Sequence, residues 1–132
     1  MNPGEEIAEF LEGVGIGLVL GVNMFVGPVR AESDFVPSQS VFVVPRNGRM
    51  SDRVFNLDFE LQYPMVVIRV RSEDYRSGYD LARQIYHELQ SQDVSFLDVR
   101  CIQSEPIFLE QDDNDNYQWQ MNFEVMRRAD FV

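Results

Sequence analysis

The chain has 132 residues, a length that fits one domain and a core large enough to fold without disulfides or metal. It is 45% hydrophobic and 12% aromatic, which excludes an intrinsically disordered chain. Twenty-two acids against eleven bases give a net charge of −11, so the chain repels DNA on average. The acidity serves either solubility alone or a surface that stays near nucleic acid without binding it, and composition leaves both interpretations open.

One uncharged stretch, residues 13–29, has to be tested as a membrane or targeting segment. A spanning helix needs roughly 20 apolar residues, whereas this stretch is shorter and contains several glycines and Asn23. A signal peptide begins with a basic region, but acids such as Glu9 and Glu12 precede this one. We therefore expect a soluble protein that is made in the cytoplasm.

The first predicted element is a helix that begins at Pro3 and ends at the glycines from Gly13 onward. Asn2 is a good N-cap, proline suits the first helical position, and Glu5 follows the cap by three residues. An apolar stripe at helical spacing follows: Ile7, Phe10, Leu11 and Val14. After the helix we expect an extended segment at Val22–Val29 and a short strand at Ser40–Pro45, rich in β-branched residues.

A polar stretch then runs from Pro45 to Asp58, and its Asn47-Gly48 pair is typical of a turn. It carries Arg46, Arg49 and Arg53, three of the eleven bases. We predict a mobile loop at about residues 45–58. Such a loop is either simply solvated or a contact arm.

The strongest predicted strand is Phe59–Ser72. Val66, Ile68 and Val70 alternate with Met65, Val67, Arg69 and Arg71, so one face is apolar and the other ends in arginines. A helix is predicted next, from Asp74 to Gln90. Its packed face is formed by Tyr75, Gly78, Ala82, Ile85, Tyr86 and Leu89.

The C-terminal part reads as a strand over 96–103, a short extended piece at Pro106–Leu109, a polar turn at Glu110–Asn116 and a closing strand at Tyr117–Arg127. The closing strand alternates apolar with polar residues, which is typical of a half-exposed antiparallel strand. The whole pattern predicts an α+β fold with two helices packed on one face of a mostly antiparallel sheet of four to five strands. We expect one domain over residues 1–132.

No set of residues with catalytic spacing stands out. His87, the only histidine, falls on the polar face of the second predicted helix, and Cys101, the only cysteine, lies in an apolar run. The acidic cluster that starts at Asp112 fails as a calcium loop, because Tyr117 stands at the glycine position and Phe123 at the glutamate position. We therefore predict no catalytic residues, no metal and no cofactor, and hence a protein that is not an enzyme.

The order of elements, together with three segments, resembles the tail-terminator family of tailed bacteriophages, whose members are also called tail-completion or minor capsid proteins. The segments are YPMVVIRVRSEDY, the helix after it, and the closing FLEQDDNDNYQWQMNFEV. The resemblance covers nearly the whole chain, and none of the segments is a catalytic signature.

This resemblance implies a small α+β subunit that forms a six-membered ring on the head-proximal end of the tail tube. Such a ring stops tube growth and offers a joining surface to the neck. The implied partners are further copies of the chain, the tail tube protein and the connector or neck proteins, with the sheath protein as a further candidate. The genome would pass through without specific binding. The implied location is the tail–neck junction of the virion, after assembly in the cytoplasm of the bacterial host.

The resemblance also suggests that the loop reaches the tube, through Arg46, Arg49, Met50, Arg53 and Phe55. Charge complementarity suggests an interface between neighbouring subunits, for which the candidates are Arg69, Arg71, Asp112, Asp113 and Asp115. Two alternatives remain open at the level of sequence. One is a head-completion or connector subunit of the neck, and the other is a small metal-dependent hydrolase.

Overall fold

The computed structural model describes residues 2–27, 37–53, 59–91, 98–111 and 116–130. Within these ranges the chain forms two helices and six strands. In chain order they are α1 (Pro3–Gly13), β1 (Met24–Val26), β2 (Ser40–Arg53), β3 (Phe59–Ser72), α2 (Tyr75–Ser91), β4 (Asp98–Cys101), β5 (Ile107–Gln111) and β6 (Tyr117–Asp130). Neither helix in these ranges is long and apolar enough to cross a membrane.

The predicted start of α1 is confirmed in atomic detail. The Asn2 side-chain oxygen accepts a hydrogen bond from the backbone N–H of Glu5 at 2.8 Å, and the Asn2 amide donates to the Glu5 carboxylate at 2.9 Å. This reciprocal pair satisfies one of the N–H groups that a helix start leaves without an intrahelical partner. Helix α1 begins at Pro3 because its N-cap is fixed in this way.

The α+β class and the two helices are confirmed, but the predicted sheet is wrong in two respects. The sheet has six strands in the order β1-β2-β3-β6-β4. Strand β5 also pairs with β6, at Tyr117–Gln120, whereas β4 pairs with it at Phe123–Met126. The sheet is mixed, since β1 runs parallel to β2 while the other four pairings are antiparallel. A parallel neighbour needs a long connection, and the stretch between β1 and β2 contains no periodic pattern from which the pairing could be predicted.

Strand β3 has the predicted bounds, Phe59–Ser72, whereas β2 is much longer than expected. Residues 45–53, predicted as part of a loop, continue β2 and pair with β3 as far as Arg53 and Glu60. The register shifts twice, between Arg46 and Arg49 and between Arg49 and Asp52. The Asn47-Gly48 pair therefore marks an irregularity within a strand instead of a turn. Residues 54–58 of the predicted loop lie outside the described residues.

The strands alternate apolar and polar residues, and this places the core on one face of the sheet. Side chains from β2, β3 and β6 on that face, including Val43, Ile68 and Phe123, are 0% exposed. Both helices pack on them through Ile7 and Leu11 of α1 and through further apolar residues of α2. The predicted inward-facing residues of the closing strand, Trp119, Met121, Phe123 and Val125, are all buried.

Helix α2 approaches the sheet closely at Gly78, as its sequence predicts. A β-carbon added there would lie 3.1 Å from the Ser72 side chain and 3.1 Å from the Trp119 ring, which is tighter than ordinary packing. Tyr75, predicted on the same packed face, is instead 48% exposed. It stands at the first residue of the helix, and its ring still contacts the buried Trp119 at 4.9 Å.

Candidate assembly surfaces

The first candidate surface is the outer half of the β2–β3 hairpin. The exposed Arg46 pairs in register with Met65, while Arg49 pairs with Tyr63 and Arg53 with Glu60. Three of the predicted tube-contacting arginines therefore lie along one strand, and the backbone of Met50 lies between them. Phe55, the fifth predicted residue, falls outside the described residues. The structure replaces residues 45–53 of the predicted loop by an arm in which β2 pairs with β3, and β3 pairs on its other side with the C-terminal end of β6.

Gly48 determines how the two strands of this arm approach each other. A β-carbon at this position would collide with the carbonyl oxygen of Tyr63 and come within 2.8 Å of the α-carbon of Pro64. Both obstacles are backbone atoms, so no change of rotamer can relieve them. The strands approach this closely only because residue 48 is glycine.

We expect Gly48→Ala to displace the arm while the core survives. The clash with the backbone of Tyr63 should cost about 1–3 kcal/mol, as overpacking does elsewhere. Amide chemical shifts in the NMR spectrum should change over residues 46–53 and 59–65 but not in α2. The matched control is Gly13→Ala, because an added β-carbon there meets nothing within 4 Å. Equal spectra for the two variants would contradict the close approach at Gly48.

The second candidate surface is the sheet face opposite the helices, where Arg69 and Arg71 were predicted to form an interface. Arg69 is exposed, and its Nε donates to the Gln120 side-chain oxygen at 3.1 Å. Arg71 is only 4% exposed, and its guanidinium donates to the backbone carbonyls of Pro37 at 2.9 Å and Ser38 at 3.3 Å. Arg69 is thus available at the surface, whereas Arg71 holds the chain segment that enters β2.

The three acids predicted to face these arginines, Asp112, Asp113 and Asp115, lie outside the described residues. The strand that leads to them, β5, forms a third surface that sequence reasoning missed. All five of its residues are exposed, including Ile107 at 44%, Phe108 at 41% and Leu109 at 39%. The signal was present in the sequence, since three consecutive apolar residues in a short strand break the alternation of a half-buried strand.

An aromatic cluster supports β5 from the helix side. The ring of Tyr75 lies 5.5 Å from Phe108 and 4.9 Å from Trp119, and Phe108 lies 5.3 Å from Trp119. Tilted rings at these separations attract each other beyond simple area burial. The exposed side chain of Phe108 therefore packs against the rings of Tyr75 and Trp119.

Asp74 caps helix α2 and is the site of a shifted pKa. Its carboxylate accepts hydrogen bonds from the Ser77 hydroxyl at 2.7 Å and the Ser77 backbone N–H at 3.0 Å. These bonds favour the charged form and lower the pKa of Asp74 below its ordinary value. The cap fixes the start of the helix that carries Tyr75.

This lowered pKa makes a pH-dependent contribution that we expect to measure. Because the folded-state pKa lies below the unfolded one, the stabilisation is fully present above the unfolded pKa and is lost as the pH falls through the folded pKa. The difference in urea midpoint between the parent chain and Asp74→Asn should therefore shrink between about pH 5 and pH 2. Asp80→Asn, on the same helix, corrects for the change in net charge. A difference that stays constant with pH would contradict this role of Asp74.

The remaining residues with reactive side chains are separate from one another. His87 is exposed on α2, and its ring lies 5.9 Å from that of Tyr86. Cys101 is buried, and burial raises the pKa of its thiol. Among the described residues no group of three or more histidines, cysteines or acids is placed to hold a metal ion. The described surfaces are suited to contacts between proteins, through an arginine-bearing arm, the sheet face that carries Arg69 and an apolar edge.

Comparison with known proteins agrees with this description. A family model described as bacteriophage tail terminator protein matches residues 13–127, which span α2, the strands β1 to β5, most of β6 and the segments that carry the resemblance seen in the sequence. No curated protein matches the chain. The chain therefore belongs to the bacteriophage tail terminator family and is a structural component of the phage tail.

Proposed function

We propose that the chain forms a hexameric ring that caps the head-proximal end of the tail tube, stops its polymerisation and provides the surface that joins the tail to the neck. The observation that carries this proposal is the family match over residues 13–127. In this proposal the ring is assembled in the host cytoplasm and stays in the virion at the tail–neck junction. Its partners are the tube protein, the connector or neck proteins and, in a tail that has one, the sheath protein.

The arm is the part of the chain that we assign to the tube. Arg46, Arg49 and Arg53 lie along one of its strands, with Asp52 on the same strand and Glu60 as the partner of Arg53, in a protein that is acidic as a whole. Arginines in this position favour an acidic or polar rim on the tube and steer the encounter electrostatically. Met50, and Phe55 outside the described residues, are the apolar residues that we assign to the same contact.

Arg69 is the residue that we assign to the contact between neighbouring copies, with Asp112, Asp113 and Asp115 as the acids that face it. A ring needs heterologous contacts, in which one surface meets a different surface of the next copy. Arg69 supports this assignment because its side chain is exposed on the sheet face opposite the helices. Arg71 is left out, because its guanidinium is buried and bound to the chain's own carbonyls.

The acid excess fits a passage for the genome. A net charge of −11 gives no general attraction for phosphate groups, and binding to DNA would require clustered lysine and arginine. A ring made of such subunits lets DNA move through without specific binding.

The experiment that tests the proposed function follows tube growth. Tail tube protein is polymerised alone and with the purified chain, and tube lengths are measured by electron microscopy while light scattering gives the mass of the chain. We expect tubes capped at one end that no longer elongate, and a hexamer either alone or on tube ends. Arg46→Glu should weaken capping, whereas Arg76→Glu, on an exposed arginine of α2, should not.

A different result would identify the alternative. A chain that never binds tube ends but binds portal-side proteins would be a connector subunit of the neck. A strict monomer that binds neither tube nor portal-side proteins would contradict both assignments.

A further inference from the structure

We propose that the outer edge of β5 binds an extended segment of a neighbouring virion protein, and that this segment is apolar in alternate positions and flanked by lysine or arginine. The segment would add one strand to the sheet, with β5 as its neighbour. The choice of a virion protein as the partner rests on the proposed function, whereas the chemistry of the edge does not.

The first support is that β5 is an apolar strand at an edge of the sheet. It pairs with β6 on one side, and in the described part of the chain no strand pairs with its other side. Exposed edges are normally protected by charged side chains, proline, bulges or very short length. Strand β5, Ile107–Gln111, has one charge, Glu110, and a register shift between Phe108 and Glu110, but three of its five residues are large and apolar and none is lysine or proline. Such an edge is a template for strand addition.

The second support is the contrast with the opposite edge of the sheet. There the backbone groups of Met24 in β1 are already hydrogen-bonded to the turn before it. The carbonyl of Met24 accepts from Gly21 N at 2.8 Å, and its N–H donates to Val19 O at 3.3 Å. Beyond β1, Pro45 interrupts the hydrogen-bonding groups on the free side of β2. The N–H of Val41 and the carbonyl of Val43 point toward the β1 segment and bond to it. Because backbone groups alternate in direction along a strand, those of residue 45 point to the same side, where proline has no N–H to donate.

These features decide against a second copy of the chain as the occupant. A head-to-tail contact between copies would need the β1–β2 edge, where the turn already bonds the backbone of Met24 and Pro45 offers no N–H to an added strand. A contact between like edges would bring two copies of Glu105 and Glu110 close together, and residues 104–111 contain no lysine or arginine. Like charges placed opposite each other destabilise a strand pair.

The third support is the charge of residues 104–116 in the sequence, which indicates the chemistry of the partner. Glu105 precedes β5, Glu110 lies within it, and Asp112, Asp113 and Asp115 follow it in the sequence. Arg83 of α2 forms an ion pair with Glu105 at 3.7 Å, and this is the one described ion pair that involves the segment. The excess of acid favours a partner strand whose ends are basic.

The test uses the full chain and two short synthetic peptides of alternating valine and threonine, one flanked by lysines and the other by glutamates. We expect the lysine-flanked peptide to slow hydrogen exchange at the β5 amides and to bind roughly tenfold more tightly than the glutamate-flanked one. Ile107→Lys places a guarding charge on the edge and should abolish the protection. Val22→Lys, an equal change at a 60% exposed residue of the opposite edge, should leave the protection unchanged.

Three results would overturn the proposal: no protection of β5 by the lysine-flanked peptide, equal binding of both peptides, or unchanged binding to Ile107→Lys. A self-associated species that Ile107→Lys converts to monomer would also overturn it, because the occupant would then be a second copy. None of these measurements involves tail tubes. Failure to cap tubes would therefore count against the proposed function while leaving the result at β5 intact.

Discussion

Phe123→Ala is expected to lower the free energy of unfolding by about 3–5 kcal/mol, the usual cost of removing a large buried aromatic side chain. Phe123 is 0% exposed at the centre of β6, between β3 and β4, and both helices cover that face. The cavity left behind cannot collapse without moving a strand that has neighbours on both sides. A domain of this size has a total stability of roughly 5–15 kcal/mol, so the variant should be close to unfolding.

Urea denaturation followed by circular dichroism measures this effect. The matched control is Phe108→Ala, which removes the same side chain from the exposed edge, where Phe108 is 41% exposed. It should cost about 1 kcal/mol, mainly through the ring contacts with Tyr75 and Trp119. Equal losses from the two variants would show that β6 is not the centre of the core.

Arg71→Ala is the second large effect that we expect, at about 2–4 kcal/mol. The guanidinium is almost fully buried, and it supplies charged donors to the carbonyl groups of Pro37 and Ser38. Removing it leaves those acceptors without this donor and costs more than an exposed hydrogen bond returns. The entry into β2, at Ser40, should loosen first.

Arg69→Ala provides the control for Arg71, because it lies two residues away on the same strand face. Its side chain is exposed, so the loss of stability should stay within about 0.5 kcal/mol. The two variants should fail for different reasons. Arg71→Ala should lose stability, whereas Arg69→Ala should fold normally and weaken contacts between copies. A stable Arg71→Ala protein would contradict the structural role assigned here to Arg71.

Much of the fold follows from local patterns. The bounds of β3 were predictable because Val66, Ile68 and Val70 alternate without interruption, and the start of α1 was predictable because Asn2, Pro3 and Glu5 form a capping signal. These features depend on residues close together in the chain. Local chemistry therefore determines them almost alone.

The incorrect predictions all depend on partners distant in sequence. Asn47-Gly48 has the composition of a turn, but Tyr63 and Pro64 on β3 hold it within a strand. The alternation of β3 correctly placed Arg71 opposite the core, yet it could not reveal that the backbone at residues 37 and 38 would cover the side chain. The periodicity of a strand predicts to which face of the sheet a side chain points, but not which other part of the chain covers that side chain.

The candidate surfaces divide in the same way. The arginines of the arm were visible as a cluster in the sequence, and the structure places three of them on one strand. The β5 edge was overlooked because five residues are too few for a convincing pattern, and its exposure depends on the sheet order, which places no described strand beyond it. Surfaces defined by composition can be predicted from sequence, whereas surfaces defined by topology need the structure.

The position of the only tryptophan has a practical consequence. Trp119 is 4% exposed, and its ring lies 4.9 Å from that of Tyr75 and 5.3 Å from that of Phe108. Its fluorescence is therefore a native optical reporter of the aromatic edge, with no competing signal from a second indole. Changes in emission wavelength or quenching during tail assembly would follow that one edge of the subunit, without any label attached to the protein.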